Sequence, residues 1–161
     1  MSDASAPITV ESLRTAIDDA WTSLERALAE FEPVLEAGPD EGGWTSRQLL
    51  SHMVGAWFRV PIHTGFYLAN RDSVPLLVGD PYWVAEWETA PFVAFVLAMK
   101  AGVACCRQLV ETLTQTDLLK EADTPFGRMS LGEFLVTSFT GHIHRFHGRQ
   151  LAAFTATHKA T

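Results

Sequence analysis

Four long segments of the sequence repeat apolar residues every three or four positions, which is the periodicity of an amphipathic helix. Very few segments alternate apolar and polar residues as a half-buried strand does. In the first segment Thr9 stands at a typical N-cap position and Pro33 follows the last turn. The apolar positions between them are Leu13, Ile17, Ala20, Leu24, Leu28 and Phe31. The pattern predicts an all-α protein.

The second segment begins with a helix-start signal. Thr45 precedes Gln48 by three residues, which is the spacing of a capping box. His52 lies within the apolar pattern of this segment. The other inward positions are Leu49, Leu50, Met53, Trp57 and Phe58. Pro61 either kinks or ends this helix, since proline removes a backbone donor and crowds the preceding turn.

The third segment begins at Pro91, because proline is favoured in the first turn of a helix. Its apolar positions are Phe92, Phe95, Met99, Val103, Cys106, Leu109 and Leu113. The adjacent Cys105 and Cys106 lack the spacing of a disulfide framework or a zinc site. We predict that both pack in or near the core, where free cysteine is usually found.

The fourth segment follows the sequence PFGR, residues 125–128, which predicts a tight turn or short hairpin. Ser130 and Glu133 then form a second capping box, so the last helix begins near residue 131. Four amphipathic helices joined by short and longer connections predict a four-helix bundle, whose interior is a known place for metal sites.

Length, composition and charge limit the functions open to this chain. Its 161 residues, 47% of them hydrophobic, predict a single domain over residues 1–161. The formal charge of −7 opposes binding to nucleic acid. We also expect a cytoplasmic protein with no membrane span, because the N-terminus lacks a basic and apolar leader and no run of about 18 apolar residues follows.

The fourth segment contains three histidines within SFTGHIHRFHGRQLAAF, residues 138–154. We take its buried stripe to be Leu135, Phe139, Ile143, Phe146 and Phe154. At about 100° of rotation per residue, His142 and His147 lie on opposite shoulders of the stripe. His144 points about 140° away from the stripe, toward solvent. His52 should lie near the bundle interior, where a metal ion would satisfy its imidazole.

Two ligands on one helix point at the same ion when they are three or four residues apart. His144 and His147 satisfy this spacing. His142 and His147 are five residues apart, and a π-bulge with i→i+5 bonding would align them. In that case we expect an i→i+5 bond within residues 141–148 and His144 turned outward. Three imidazoles with one open coordination position form the arrangement of a catalytic zinc site.

Two stretches of the sequence resemble motifs of the DinB-like metal-binding four-helix bundles. WTSRQLLSHM, residues 44–53, is similar to that superfamily's entry to helix two, and GHIHRFHGRQL, residues 141–151, is similar to its last-helix motif. The capped turn PFGRMSLGEFL before the last helix also resembles the family. The resemblance spans most of the chain. It implies an all-α four-helix bundle of the up-down-down-up type with long helix connections.

The resemblance also implies a metal site. It makes His52 the helix-two ligand and His147 the last-helix ligand. The usual last-helix pair of the family is His-x3-His, whereas here Ile143 stands four residues before His147. The third ligand is therefore His142, if a π-bulge absorbs one residue, or His144, if the i,i+3 pair is used. We favour His142, because it lies nearer the buried stripe.

What the resemblance implies about activity is broad. Some members are thiol-dependent S-transferases that use mycothiol or bacillithiol, and one branch isomerises maleylpyruvate. We therefore expect a divalent metal, zinc or nickel, that activates a low-molecular-weight thiol or water for attack on an electrophilic small molecule. The family likeness also implies a homodimer. The alternative is a non-catalytic dimeric bundle with a degenerate metal site, which holds a small apolar ligand at Trp83–Trp87.

Overall fold

The computed structural model describes residues 7–39, 43–75, 84 and 86–159 of the chain. Three long α-helices are α1 (Val10–Ala29), α2 (Ser46–Leu68) and α3 (Phe92–Thr112). The connections contain a 3-10 helix (Glu32–Val34), the short α4 (Gln115–Leu118) and the strands β1 (Glu121–Thr124) and β2 (Gly127–Ser130). The fourth bundle helix is a continuous run of α5 (Leu131–Val136), a π-helix (Thr137–His147) and α6 (Gly148–Lys159).

Side-chain caps begin three helices where the sequence predicts them. The Thr45 hydroxyl accepts a hydrogen bond from the backbone N–H of Gln48, whose side chain accepts one from the Thr45 N–H. Ser130 and Glu133 make the same reciprocal pair at the start of α5. Thr9 caps α1. Each cap satisfies backbone donors that a helix N-terminus leaves free, so the predicted starts of these helices are confirmed.

Pro61 lies inside α2, which runs unbroken from Ser46 to Leu68. Proline has no N–H, so the carbonyl of Trp57, four residues earlier, has no helical donor from position 61. The thiol of the buried Cys106 on α3 donates to that carbonyl at 3.4 Å. The thiol thus partners the carbonyl that Pro61 leaves without a helical donor. The helix continues past Pro61 and keeps residues on both sides of it on one face.

The bundle is built from two pairs of opposite helices. Both α1 and α2 pack against α3 and against the π-helix, so α1 and α2 occupy opposite corners. Gly102 lets α3 approach α2 closely, because a Cβ atom there would lie 2.7 Å from the Cβ of Trp57. The largest fully buried side chains are Trp57, Tyr67, Phe31, Phe95 and Phe139. The predicted all-α four-helix bundle with long connections is confirmed.

Helix α3 is long and apolar enough, by length and composition alone, to cross a membrane. In the structure it is a bundle helix, whose buried residues are Phe95, Met99, Gly102, Val103, Cys106 and Val110. Its outer side makes three ion pairs with α1: Lys100–Glu25, Arg107–Asp18 and Glu111–Arg14. These ion pairs connect the charged residues of α3 to α1 within the bundle.

Strands β1 and β2 form an antiparallel hairpin in which Thr124 pairs with Gly127. The predicted tight turn or short hairpin is thus a hairpin. Gly127 has a φ of +107°, a conformation that favours glycine. The backbone of Asp123 exchanges hydrogen bonds with the chain on either side of Ser73, which ties the connection after α2 to β1. The turn presents Phe126 with its ring largely exposed.

Two predictions about single side chains are wrong, and a third prediction lies partly outside the described residues. Cys105 is exposed and Cys106 is buried, since adjacent helical residues point about 100° apart and share no face. Phe146 is 63% exposed, whereas the neighbouring His147 is 1% exposed. The predicted apolar-ligand position at Trp83–Trp87 falls partly outside the described residues, because residues 83 and 85 are not among them, and it stays a prediction.

Candidate metal centre

The π-helix sets the positions of the histidines on the fourth bundle helix. At its end the Gly148 N–H donates to the Ile143 carbonyl, which is a five-residue step. The predicted i→i+5 bond within residues 141–148 is confirmed. The π-helical segment spans 11 residues, so it is longer than the single-turn π-bulge that the histidine spacing called for.

The buried residues of the fourth bundle helix recur every four positions, at Phe139, Ile143, His147 and Leu151. An α-helix has about 3.6 residues per turn, so each step of four overshoots a full turn by about 40°. A π-helix has more residues per turn, so the same step falls short of a full turn there. The two deviations have opposite signs, so a helix with both π-helical and α-helical parts can keep all four positions on the core side. The same winding places Phe146 outside and His147 inside.

Three histidines from two helices meet at one point. The Nε2 atom of His147 lies 2.9 Å from Nε2 of His142 and 3.1 Å from Nε2 of His52 on α2. One ring nitrogen from each residue lies within 4.8 Å of the other two. His144 is half-buried and stands outside this group. The structure thus brings together His52, His142 and His147 and leaves the alternative ligand out.

The protonation of His147 is set by Gln150. The Oε1 atom of Gln150 lies 3.1 Å from Nδ1 of His147. An amide oxygen only accepts hydrogen bonds, so the neutral His147 ring carries its proton on Nδ1 and has a lone pair on Nε2. That lone pair faces the Nε2 atoms of two other rings. A ring held in this way by an outer partner is the usual state of a metal-ligating histidine.

The spacing of the nitrogens fits a metal ion. Ligand nitrogens about 2.0–2.1 Å from a tetrahedral ion are about 3.3 Å from one another. The two measured separations from His147 Nε2, 2.9 and 3.1 Å, are close to that value. Aromatic neighbours pack against two of the rings. The ring centroids of Trp44 and His52 are 4.5 Å apart in an edge-on contact, and those of Phe146 and His147 are 5.1 Å apart. The ring nitrogens of His52 and His142 lie within 4.8 Å of each other, so the three donors converge and a divalent ion could draw them together.

Burial keeps the three imidazoles neutral. It lowers the pKa of His147 to about 3 and the pKa of His52 to about 4. Burial also lowers the pKa of His142, and the positive charge of Arg59 adds to the shift. A neutral imidazole is the form that donates a lone pair to a metal. At neutral pH none of the three rings has to lose a positive charge before an ion binds.

A cavity of about 310 Å³ is lined by two of the three clustered histidines, His52 and His142. One face of α2 lines it, on which Ala56, Arg59 and His63 follow His52 at intervals of 4, 7 and 11 residues. The hairpin and the fourth bundle helix supply the opposite wall, which consists of Phe126, Met129, Phe134, Thr137, Ser138 and His142. A small molecule in this cavity would lie against the histidine cluster.

Sequence reasoning did not identify Arg59, His63 or Phe126 as site residues. Arg59 and His63 are 8% and 6% exposed, and burial together with the Arg59 charge lowers the pKa of His63. Their signal in the sequence is the helical spacing from His52. For His63 that spacing has meaning only if α2 continues past Pro61, which local sequence does not decide. Arg59 precedes Pro61, so its spacing from His52 was already available in the sequence. Phe126 reaches the cavity from the hairpin turn, and no periodicity indicates that contact.

Comparisons with known proteins support the fold. No protein-family model and no curated protein matches this sequence. Among solved structures, the chain is similar to YfiT from Bacillus subtilis, described as a probable metal-dependent hydrolase with an unusual four-helix bundle topology. The match has a TM-score of 0.69 at 16% sequence identity and covers 97% of this chain and 93% of YfiT. It supports the DinB-like resemblance at the level of the fold.

Proposed function

We propose that this protein is a metal-dependent enzyme that acts on an electrophilic small molecule. His52, His142 and His147 would hold a divalent ion, zinc or nickel, both of which accept imidazole ligands. When bound, such an ion lowers the pKa of a water molecule or a low-molecular-weight thiol and makes it a nucleophile at neutral pH. The convergence of three Nε2 atoms beside a cavity carries the proposal.

The residues around the cluster have separate tasks in this proposal. Gln150 holds the His147 ring so that its Nε2 lone pair faces the shared point. Trp44 packs against His52 and limits the orientations of that ring. The apolar side chains that line the cavity exclude water around a bound substrate, which strengthens electrostatic interactions within the site.

The comparison with YfiT supports the metal-dependent part of the proposal. YfiT is described as a probable metal-dependent hydrolase, so water is one candidate nucleophile. The DinB-like resemblance adds a thiol as the other. We further propose, on that resemblance, that the protein is a homodimer. From composition and charge, we propose a cytoplasmic protein that binds no nucleic acid.

Metal analysis tests the proposal directly. The full chain is purified without chelator, and we expect about one zinc or nickel ion per chain by elemental analysis. The variant His52→Ala should lose most of the metal, since it removes one of three protein ligands. His158→Gln is the matched control, because His158 lies on α6 outside the cluster, and it should keep the metal. Full metal retention by His52→Ala would contradict the proposed site.

Activity assays separate the two nucleophiles. Metal-loaded protein is incubated with p-nitrophenyl esters to detect hydrolysis, and with monochlorobimane plus a low-molecular-weight thiol to detect transfer. Either activity should disappear in His52→Ala and persist in His158→Gln. A protein that holds no metal and shows neither activity would instead be the non-catalytic bundle.

A further inference from the structure

A buried positive charge lines the cavity beside the histidine cluster. Arg59 is 8% exposed and sits near the middle of α2, two helical turns after His52. The neighbouring wall is mostly apolar, with Ala56 and Val60 on the same helix and Phe134 opposite. None of the described residues that line the cavity is acidic. The cavity therefore combines a guanidinium group with apolar surface.

We propose that the cavity binds a small molecule with one carboxylate group and an apolar body, and that Arg59 binds the carboxylate. The inference rests on the proposed function, because this molecule would be the substrate of the metal centre. A guanidinium presents parallel N–H donors that match the two oxygens of a carboxylate. A wall of low polarity strengthens that attraction relative to water.

The apolar body would lie against the hairpin. Phe126 is 75% exposed and lines the cavity from the turn between β1 and β2. An exposed ring at a cavity mouth gains apolar burial when a ligand enters. Met129 on β2 and Phe134 on α5 continue this apolar side. At about 310 Å³ the cavity fits a molecule of the size of a substituted benzoate.

The test uses 4-fluorobenzoate and its neutral analogue 4-fluorobenzamide as probes, followed by 19F NMR. The full chain is treated with chelator, so that no carboxylate can bind through a metal ion. We expect the wild-type protein to bind the benzoate at least about tenfold more tightly than the benzamide, in keeping with a hydrogen bond to a charged group. Arg59→Gln should weaken benzoate binding about tenfold and leave benzamide binding unchanged.

Three further variants keep the result interpretable. Arg145→Gln removes an exposed arginine of the π-helix outside the cavity and should change neither affinity. Arg59→Lys keeps the charge but loses the planar donor pair, so it should weaken benzoate binding by a smaller factor and serves if Arg59→Gln does not fold. Phe126→Ala, at an exposed position, should weaken both probes equally, because it removes apolar contact only.

The proposal is overturned if wild-type protein binds both probes equally, or if Arg145→Gln lowers benzoate affinity as much as the Arg59 variants do. Metal content is measured on separate untreated samples. Benzoate binding that depends on Arg59 in a protein without metal would retain the carboxylate site and reject the metal-dependent enzyme. Metal binding without a preference for the benzoate would keep the metal site and reject the carboxylate site.

Discussion

His142 and His147 place their Nε2 atoms 2.9 Å apart although five residues separate them in the sequence. In an α-helix a five-residue step directs two side chains about 140° apart. The π-helix removes that divergence, because its i→i+5 bonds bring residues five apart onto one side. The histidine cluster therefore depends on the π-helical winding, which brings His142 and His147 together. π-Helical turns occur frequently at functional sites, and here the proposed ligands depend on one.

The first prediction distinguishes the two candidates for the third ligand. His142→Ala should lose most of the bound metal, because Nε2 of His142 lies in the cluster. His144→Ala should retain it, because His144 lies outside the cluster on the same π-helix. Elemental analysis of both purified variants gives the answer. The opposite pattern, with loss only in His144→Ala, would assign the metal to the i,i+3 pair His144 and His147.

The second prediction concerns the outer contact of His147. Gln150→Leu removes the Oε1 acceptor that lies 3.1 Å from Nδ1 of His147. We expect zinc affinity, measured by competition with a chelating dye, to fall by about 10–100-fold, as for other second-layer partners of ligating histidines. Gln150→Glu keeps an acceptor and should retain or raise the affinity. Equal affinities in wild type and Gln150→Leu would show that Gln150 does not orient the ring.

Much of the fold could be predicted from the sequence because its signals are local. The helix starts follow from capping pairs such as Thr45 with Gln48, whose partners are three residues apart. The grouping of His52 with His142 and His147 follows from their places on amphipathic helices and from the family resemblance. Their role as metal ligands stays a prediction.

The missed features depend on contacts between distant parts of the chain. The continuity of α2 past Pro61 involves a thiol on α3, 45 positions later in the sequence. Without that continuity, His63 cannot be assigned to the face of His52, whereas Arg59 precedes Pro61 and could have been assigned by its spacing. Phe146 is exposed and His147 is buried within the π-helix, which packs against α1 and α2. Periodicity at a fixed angle per residue cannot register such a change of winding.

The third prediction tests how α2 tolerates Pro61. Cys106→Val keeps an apolar side chain but removes the thiol that donates to the Trp57 carbonyl. A buried carbonyl without a donor should lower the free energy of unfolding by about 1 kcal/mol. In the Pro61→Ala background residue 61 supplies its own N–H to that carbonyl, so the same substitution should cost much less. Urea denaturation of the four proteins in this double-mutant cycle measures the coupling. Equal costs in both backgrounds would contradict the role given to the thiol.

The fourth prediction is that the metal-free protein loses stability as the pH falls below about 6.5, the usual pKa of histidine in an unfolded chain. Burial, with a contribution from nearby positive groups, lowers the folded-state pKa of His52 to about 4 and of His147 to about 3. It also lowers the pKa values of His63 and His142. At a pH between the folded-state and unfolded-state pKa values of these histidines, the unfolded chain binds more protons than the folded chain. Protonation therefore favours unfolding.

The histidine contribution to stability is therefore complete above about pH 6.5 and is lost as the pH falls toward the folded-state values. Each such histidine should reduce the free energy of unfolding by about 1.4 kcal/mol per pH unit within this window. Urea denaturation in chelator from about pH 7.5 to 5 measures the slope above the range in which ordinary carboxylates titrate. The variant His52→Gln/His147→Gln should flatten the slope by about two protons. An unchanged slope would mean that these two rings already accept protons in the folded state, which would be incompatible with a neutral, ligand-ready cluster.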